Sequence, residues 1–197
     1  MSFLLHFLRE QLFLTPHYPK HTVQDQTIIV TGSNVGLGFE AAKHLVRLGA
    51  DTVILAVRSI EKGEAAKKSI EASTSRVNVV EVWQLDLASY ASVKDFVKRA
   101  EGLKRLDSII ENAGIATDVY RTMEDNESTI TTNVVSTYLL ALLILPKLRE
   151  TANKYNVTPH LTIVSSDVHF FTSFPERTED DIFRALNDRE KARMSDR

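Results

Sequence analysis

With 197 residues, 43% of them hydrophobic, and a formal net charge of −2, the chain has material for one domain with a sizeable core. Its charge is too close to neutral to present the basic face that nucleic-acid binding requires, so no nucleic-acid partner is expected. It has no cysteine, which removes disulfides and thiolate zinc sites, and its six histidines stand singly without metal-ligand spacing, so no metal is expected either.

The first stretch, 2–14, sets Phe3, Leu4, Phe7, Leu8 and Leu12 on one helical stripe. It lacks a basic n-region and a small-residue cleavage site, and Arg9-Glu10 interrupts it, so it does not read as a signal peptide. It is also far short of the roughly 20 apolar residues of a membrane span. It reads as a helix packed on the domain or covering its pocket, with weak contact to a membrane surface as the alternative. Prolines at 16 and 19 make an extended linker, so 1–24 precedes a domain at 25–197, with a cytoplasmic setting expected.

Thr27-Ile28-Ile29-Val30 reads as a buried parallel strand. It runs into Thr31-Gly32-Ser33-Asn34-Val35-Gly36-Leu37-Gly38, and a helix with apolar residues at Ala41, Ala42, Leu45, Val46 and Leu48 follows, with Gly49 at its C-cap. Strand, glycine turn and helix together form a phosphate-binding hypothesis, because glycines let backbone N–H groups approach a pyrophosphate at the positive end of a helix. The spacing is Gly-x-x-x-Gly-x-Gly rather than the common Gly-x-Gly-x-x-Gly, and a helix-start turn with no ligand is the bland alternative.

The pattern then alternates. Residues 52–57, 77–85, 106–110 and 161–164 read as strands, with a charged helix after Ser59 through about Ala72 and another over 89–100 capped by Ser89. A long helix is expected over 126–148, with Ile130, Val134, Leu140, Ala141, Ile144 and Leu145 inward, and its apolar run 139–145 buried. Past Ser166 the pattern loosens into an aromatic, proline-containing stretch and a polar helix candidate over 180–193. Such alternation implies right-handed crossovers and a doubly wound α/β parallel sheet, Rossmann-like, covered on both faces.

With Asn112-Ala113-Gly114 after the fourth strand and Ser165-Ser166 after the fifth, the chain resembles the short-chain dehydrogenase/reductase family from about Asp25 onward. Arg58-Ser59-Ile60-Glu61-Lys62-Gly63 and Leu186-Asn187-Asp188 look like its fungal secondary-metabolite branch. The resemblance implies hydride transfer between a nicotinamide cofactor and a ketone or secondary alcohol. In a dinucleotide fold, an acid at the end of the second strand binds a ribose 2′-OH, whereas an arginine suits a 2′-phosphate. Here Val57 is followed by Arg58 with no carboxylate, so NADP is the expected cofactor, against a solvated surface arginine. Gly32, Gly36, Leu37, Gly38, Arg58, Asp86, Asn112 and Gly114 form the expected cofactor site, with Asp86 either against the adenine or capping the next helix. Trp83 is expected near the cofactor edge.

The family's catalytic group is an asparagine, a serine, a tyrosine and a lysine. By position Asn133 and Ser166 match the first two; the alternatives are a side chain bonding its own helix and a loop serine. No Tyr-x-x-x-Lys follows Ser166, and Tyr90-Ala91-Ser92-Val93-Lys94 lies ahead of the other two residues and reads as a decoy. The expectation is therefore a sheet ending at its fifth strand and a chain stopping just before its active-site helix, with an inactive remnant that binds nucleotide or pairs with an intact homologue as the competing reading. A homo-oligomer is expected of the full-length form. A hydrolase reading of Ser166, Asp167 and His169 is discounted, since Ser166 has no flanking glycines.

Overall fold

A computed structural model describes residues 7, 9, 12–15, 18–166 and 172–194. Five strands form one parallel sheet in the order β3-β2-β1-β4-β7. They are β1 (Thr27–Thr31), β2 (Thr52–Val57), β3 (Val80–Gln84), β4 (Ser108–Glu111) and β7 (His160–Ile163). The helices between them are α1 (Gly36–Arg47), α2 (Ile60–Thr74), α3 (Tyr90–Glu101) and the long α4, 128–155. Each strand-to-strand connection is a crossover, so helices cover both faces and the middle strands have no wet side. β1 is buried at all five residues and β2 at its last five.

Alternate residues of these strands feed two separate cores. Ile29, Ile54 and Ala56 join Trp83, Phe96, Leu140 and Ile144 under α3 and α4. Ile28, Val30, Val53 and Leu55 join Val46, Ala66 and Ile70 under α1 and α2. Burying each such aliphatic side chain stabilises the fold by roughly 1.5–3 kcal/mol. At the base of the sheet, Asp107 accepts from the Thr27 N–H at 2.9 Å and pairs with Arg105, which ties β4 to β1.

Several expectations need correction. The 126–148 helix starts two residues later, because Asn126–Glu127 (β6) pairs with Thr122–Met123 (β5) in a small antiparallel hairpin that no apolar alternation signals. Its second turn, Thr131–Ser136, is π-helical, and Thr137 Oγ1 donates to the Thr132 carbonyl five residues back. That extra residue rotates Val134 outward, and within the 139–145 run Leu142 and Leu143 are exposed. α4 is long and apolar enough to cross a membrane, but half of that window is buried against the protein, as befits a core helix. The helix expected over 180–193 shortens to α5 (Ile182–Leu186), after a 3₁₀ turn at Pro175–Thr178. Gly49 lies one residue past the C-cap of α1, which is Leu48. Of the N-terminal apolar stripe, Phe7 and Leu12 are exposed, and Phe3, Leu4 and Leu8 lie outside the described residues.

Candidate functional site

The site lies at the carboxyl edge of the sheet, between the ends of β1, β2 and β4. Gly32 sits at φ +65°, with its N–H on the Ala56 carbonyl at 2.8 Å, so the turn is bonded to the end of β2. A Cβ on Gly32 would lie 2.8 Å from the Ala113 Cα, and one on Gly38 would lie 2.5 Å from Asn112 Nδ2. Only glycine permits either approach. Buried Ser33 closes the turn by donating to the Val30 carbonyl at 2.7 Å. α1 then starts at Gly36 with no side-chain cap on Val35 and no acid in its first turn. The positive end of the helix therefore has no built-in anion, and the direction a Gly36 Cβ would take is open.

Asn112 locks the two turns together. Its Nδ2 donates to the Thr31 and Gly32 carbonyls at 3.0 and 3.4 Å. In return Thr31 Oγ1 accepts from the N–H groups of Asn112 and Ala113 at 3.0 and 2.9 Å. Asn112 thus ties the ends of β1 and β4 together, with Thr31 as a partner that the sequence pattern does not signal.

A cleft of about 270 Å³ opens between these turns. From the β2–β3 side come Arg58, Ser59, Lys62 and Asp86; from the β1 turn, Gly32 and Asn34; from the β4 side, Gly114, Ile115, Met123, Ser128 and Thr132. No carboxylate stands at the end of β2. Lys62 reaches the cleft because Ser59 caps α2 through the Lys62 N–H, while Gly63 lets the first turn of the helix lie close against Val57 and Val82. Lys62 was missed; its place one helical turn beyond Arg58 was the available signal. Leu37 is exposed beside the glycine turn.

Asp86 lines the cleft and does not cap α3, whose cap is Ser89. Its Oδ1 accepts from the Ala88 N–H at 2.9 Å, closing its own turn, and its N–H donates to Ser92 Oγ. Trp83 is corrected outright. It is buried in the core against Phe96, with Arg99 stacked 4.0 Å from its ring, and does not line the cleft. Trp83 shares its face with Leu85, two residues on, and it is Leu85, nearer the carboxyl edge, that reaches the cleft wall.

Asn133 occupies the π turn of α4. It does not bond its own helix: Oδ1 accepts from the Ile115 N–H and Nδ2 donates to the Ile115 carbonyl, both at 2.8 Å. The asparagine thus holds the loop after Gly114 in a two-bond clamp, and a Cβ on Gly114 would come within 3.2 Å of its oxygen. Ser166 is exposed just past β7, and Asp167 and His169 lie outside the described residues. Tyr90 and Lys94 are on α3 away from the cleft lining, where Tyr90 Oη accepts from Asn126.

Beneath the site, Glu111 at the end of β4 is only 2% exposed, and neither of its carboxylate oxygens has a hydrogen-bond partner. Burial pushes its carboxyl up to about 8. The hydroxyl of Ser136, at the end of the π turn, is likewise buried without a partner. Glu127 shows the opposite outcome. Burial would raise its carboxyl, but the Thr129 hydroxyl and N–H and the Ser128 hydroxyl hold it below the usual carboxylate range.

Residues 26–157 match the family described as short chain dehydrogenase. The chain is 53% identical over 190 residues to the short chain dehydrogenase/reductase dmxR8 of Cryptosporiopsis sp., covering 94% of this chain and 59% of that protein. It is 47% identical over 198 residues to the short chain dehydrogenase atnD of Emericella nidulans, covering 100% and 63% respectively. It therefore spans roughly half to three fifths of the length of the curated relatives it matches. Among solved structures, a short chain dehydrogenase from Escherichia coli CFT073 complexed with NADPH is similar at 30% identity and a TM-score of 0.63, over 79% of this chain and 63% of that one. A Shigella flexneri short chain dehydrogenase complexed with NADP is similar at 28% identity with the same TM-score, over 84% and 66%.

Proposed function

The chain belongs to the short chain dehydrogenase family, and we propose that it binds NADP(H) in the cleft between β1, β2 and β4. The observation that carries this reading is the pairing of Arg58 and Lys62, with no carboxylate, at the end of β2 beside an uncapped helix start. A 2′-phosphate at Arg58 and Lys62 neutralises two cations, and the pyrophosphate lies over the turn that Gly32, Gly36 and Gly38 keep open. The other half of the dinucleotide then lies along Gly114, Ile115 and Met123. When bound, the cofactor supplies or accepts the hydride.

The protein's own part is to bind, orient and exclude water. Asn112 holds the two turns at their separation, and Asn133 holds the Ile115 loop beside the far end of the cleft. Ser166 is our candidate for the group that donates to the oxygen of a carbonyl or alcohol substrate, and Asn133 for the asparagine that holds a water in the proton relay. As substrate we propose a ketone or secondary alcohol, of fungal secondary metabolism, met in the cytoplasm. We test the reading by titrating the 197-residue chain with NADPH and NADH. Tighter binding of NADPH, lost at high salt, supports it; equal or absent binding rejects it.

A further inference from the structure

The β5–β6 hairpin contributes Met123 to the wall of the cleft and is tied down from three directions. From α4, Thr131 Oγ1 donates to the Met123 carbonyl at 2.7 Å, and the Ser128 N–H donates to the Arg121 carbonyl at 2.8 Å. From α3, the Tyr90 N–H donates to Glu124 at 2.8 Å, and Tyr90 Oη accepts from Asn126. The third tie comes from Asn187, about sixty residues farther along the chain. Its Oδ1 accepts from the Glu127 N–H at 2.7 Å, and its Nδ2 donates to Asn126 Oδ1 at 2.7 Å and to the Asp125 carbonyl at 3.4 Å. Its own carbonyl accepts from Tyr120 Oη at 2.7 Å. Leu186 beside it is buried, whereas Ile182 and Phe183 of the same short helix are exposed.

One planar amide thus meets one donor and two acceptors around the turn of the hairpin, a match that asparagine makes and aspartate does not. Resting on the NADP(H) reading, we infer that Asn187 is a positioning residue for the cleft. By holding β6 it fixes Met123, and with it Ser128 and Thr132 at the start of α4, as the wall against which the β4-side half of the dinucleotide lies. Arg58 and Lys62 belong to a different part of the cleft, built on β2 and α2, that Asn187 does not touch. The consequence is selective: losing Asn187 weakens the whole dinucleotide and spares its phosphoadenosine half.

The test titrates the full 197-residue chain, as wild type, Asn187→Ala and Asn187→Asp, with NADPH and with adenosine 2′,5′-bisphosphate. We expect Asn187→Ala to bind NADPH roughly three- to tenfold more weakly, the scale of one or two lost hydrogen bonds. Binding of the bisphosphate stays unchanged, and Asn187→Asp, which keeps the Glu127 contact, falls between. Tyr120→Phe removes the contact to the Asn187 carbonyl alone and shows the same split at smaller size, which serves if Asn187→Ala does not fold. Unchanged NADPH affinity in both the alanine and the phenylalanine variants overturns the inference, as does equal weakening of both ligands, the mark of general loosening. A wild-type chain that binds neither ligand overturns the NADP(H) reading, and this inference with it.

Discussion

β1 and β7 are short parallel strands of the same sheet, yet they occupy opposite kinds of place. β1 lies between β2 and β4 with helices on both faces, and every residue of it is buried. Among the described residues β7 pairs with β4 on one side only, and His160 and Thr162 are exposed along it. The polar contacts follow the same division. Around β1, Thr31, Gly32 and Asn112 bond across turns that are about eighty residues apart in sequence, so that each atom has a specified partner. On the β7 side, the neighbouring face of α4 presents Tyr138, Leu142 and Leu143 outward. Strands packed between two helical layers leave no room for adjustment, whereas exposed positions such as those along β7 are less constrained by neighbours.

The contrast breaks first at Gly32. Gly32→Ala places a side chain at φ +65° and 2.8 Å from the Ala113 Cα, so we expect roughly 2–5 kcal/mol of destabilisation and loss of NADPH binding. A denaturant midpoint close to that of wild type would show that the turn is far softer than its geometry. Arg58→Ala comes next and acts on binding alone. Removing a charge-assisted contact of roughly 1.5–3 kcal/mol should weaken NADPH binding by roughly 10- to 150-fold, with NADH unaffected and the melting temperature unmoved. An equal loss for both nucleotides would remove Arg58 from the 2′-phosphate.

Glu111 tests the middle of the sheet. Its carboxyl, pushed up to about 8 from an ordinary value of 4.5, is held by the folded state in its protonated form. Its stabilising contribution is therefore fullest below pH 4.5 and is lost as pH rises through 8. Glu111→Gln keeps the shape without the titration. At pH 8 it should be more stable than wild type by roughly 1–3 kcal/mol, and the gap should narrow toward pH 5. Melting curves that fall in parallel for both chains would assign the pH dependence elsewhere. Smallest of all, Leu142→Gln on the exposed face of α4 should change stability by less than about 0.5 kcal/mol. A larger loss would mean that this face is covered in solution.

Local pattern alone specified a good deal here. A continuous apolar strand, a glycine turn and an amphipathic helix announced the β1–α1 unit, and the alternation that followed announced the parallel sheet. Arg58, Asp86 and Gly114 were legible as cleft residues because their places are counted from strand ends. Serines at 59 and 89 were legible as caps because a cap acts within three residues of itself. What the sequence left open depends on contacts between distant segments. The β5–β6 hairpin carries no apolar alternation, and its partners, Tyr90 and Asn187, lie 36 and 61 residues from Asn126. The π turn that directs Asn133 to Ile115 and turns Val134 outward is a matter of one hydrogen-bond register, which composition does not encode. Trp83 was misplaced for a related reason: it shares a face with Leu85 but lies farther from the carboxyl edge, and how deep the cleft reaches is decided only when the helices pack. Propensity and periodicity act over a few residues and so determined the elements and their order. Tertiary structure decided the orientation of the side chains and the walls of the cleft, because those energies arise only when segments far apart in sequence are brought into contact.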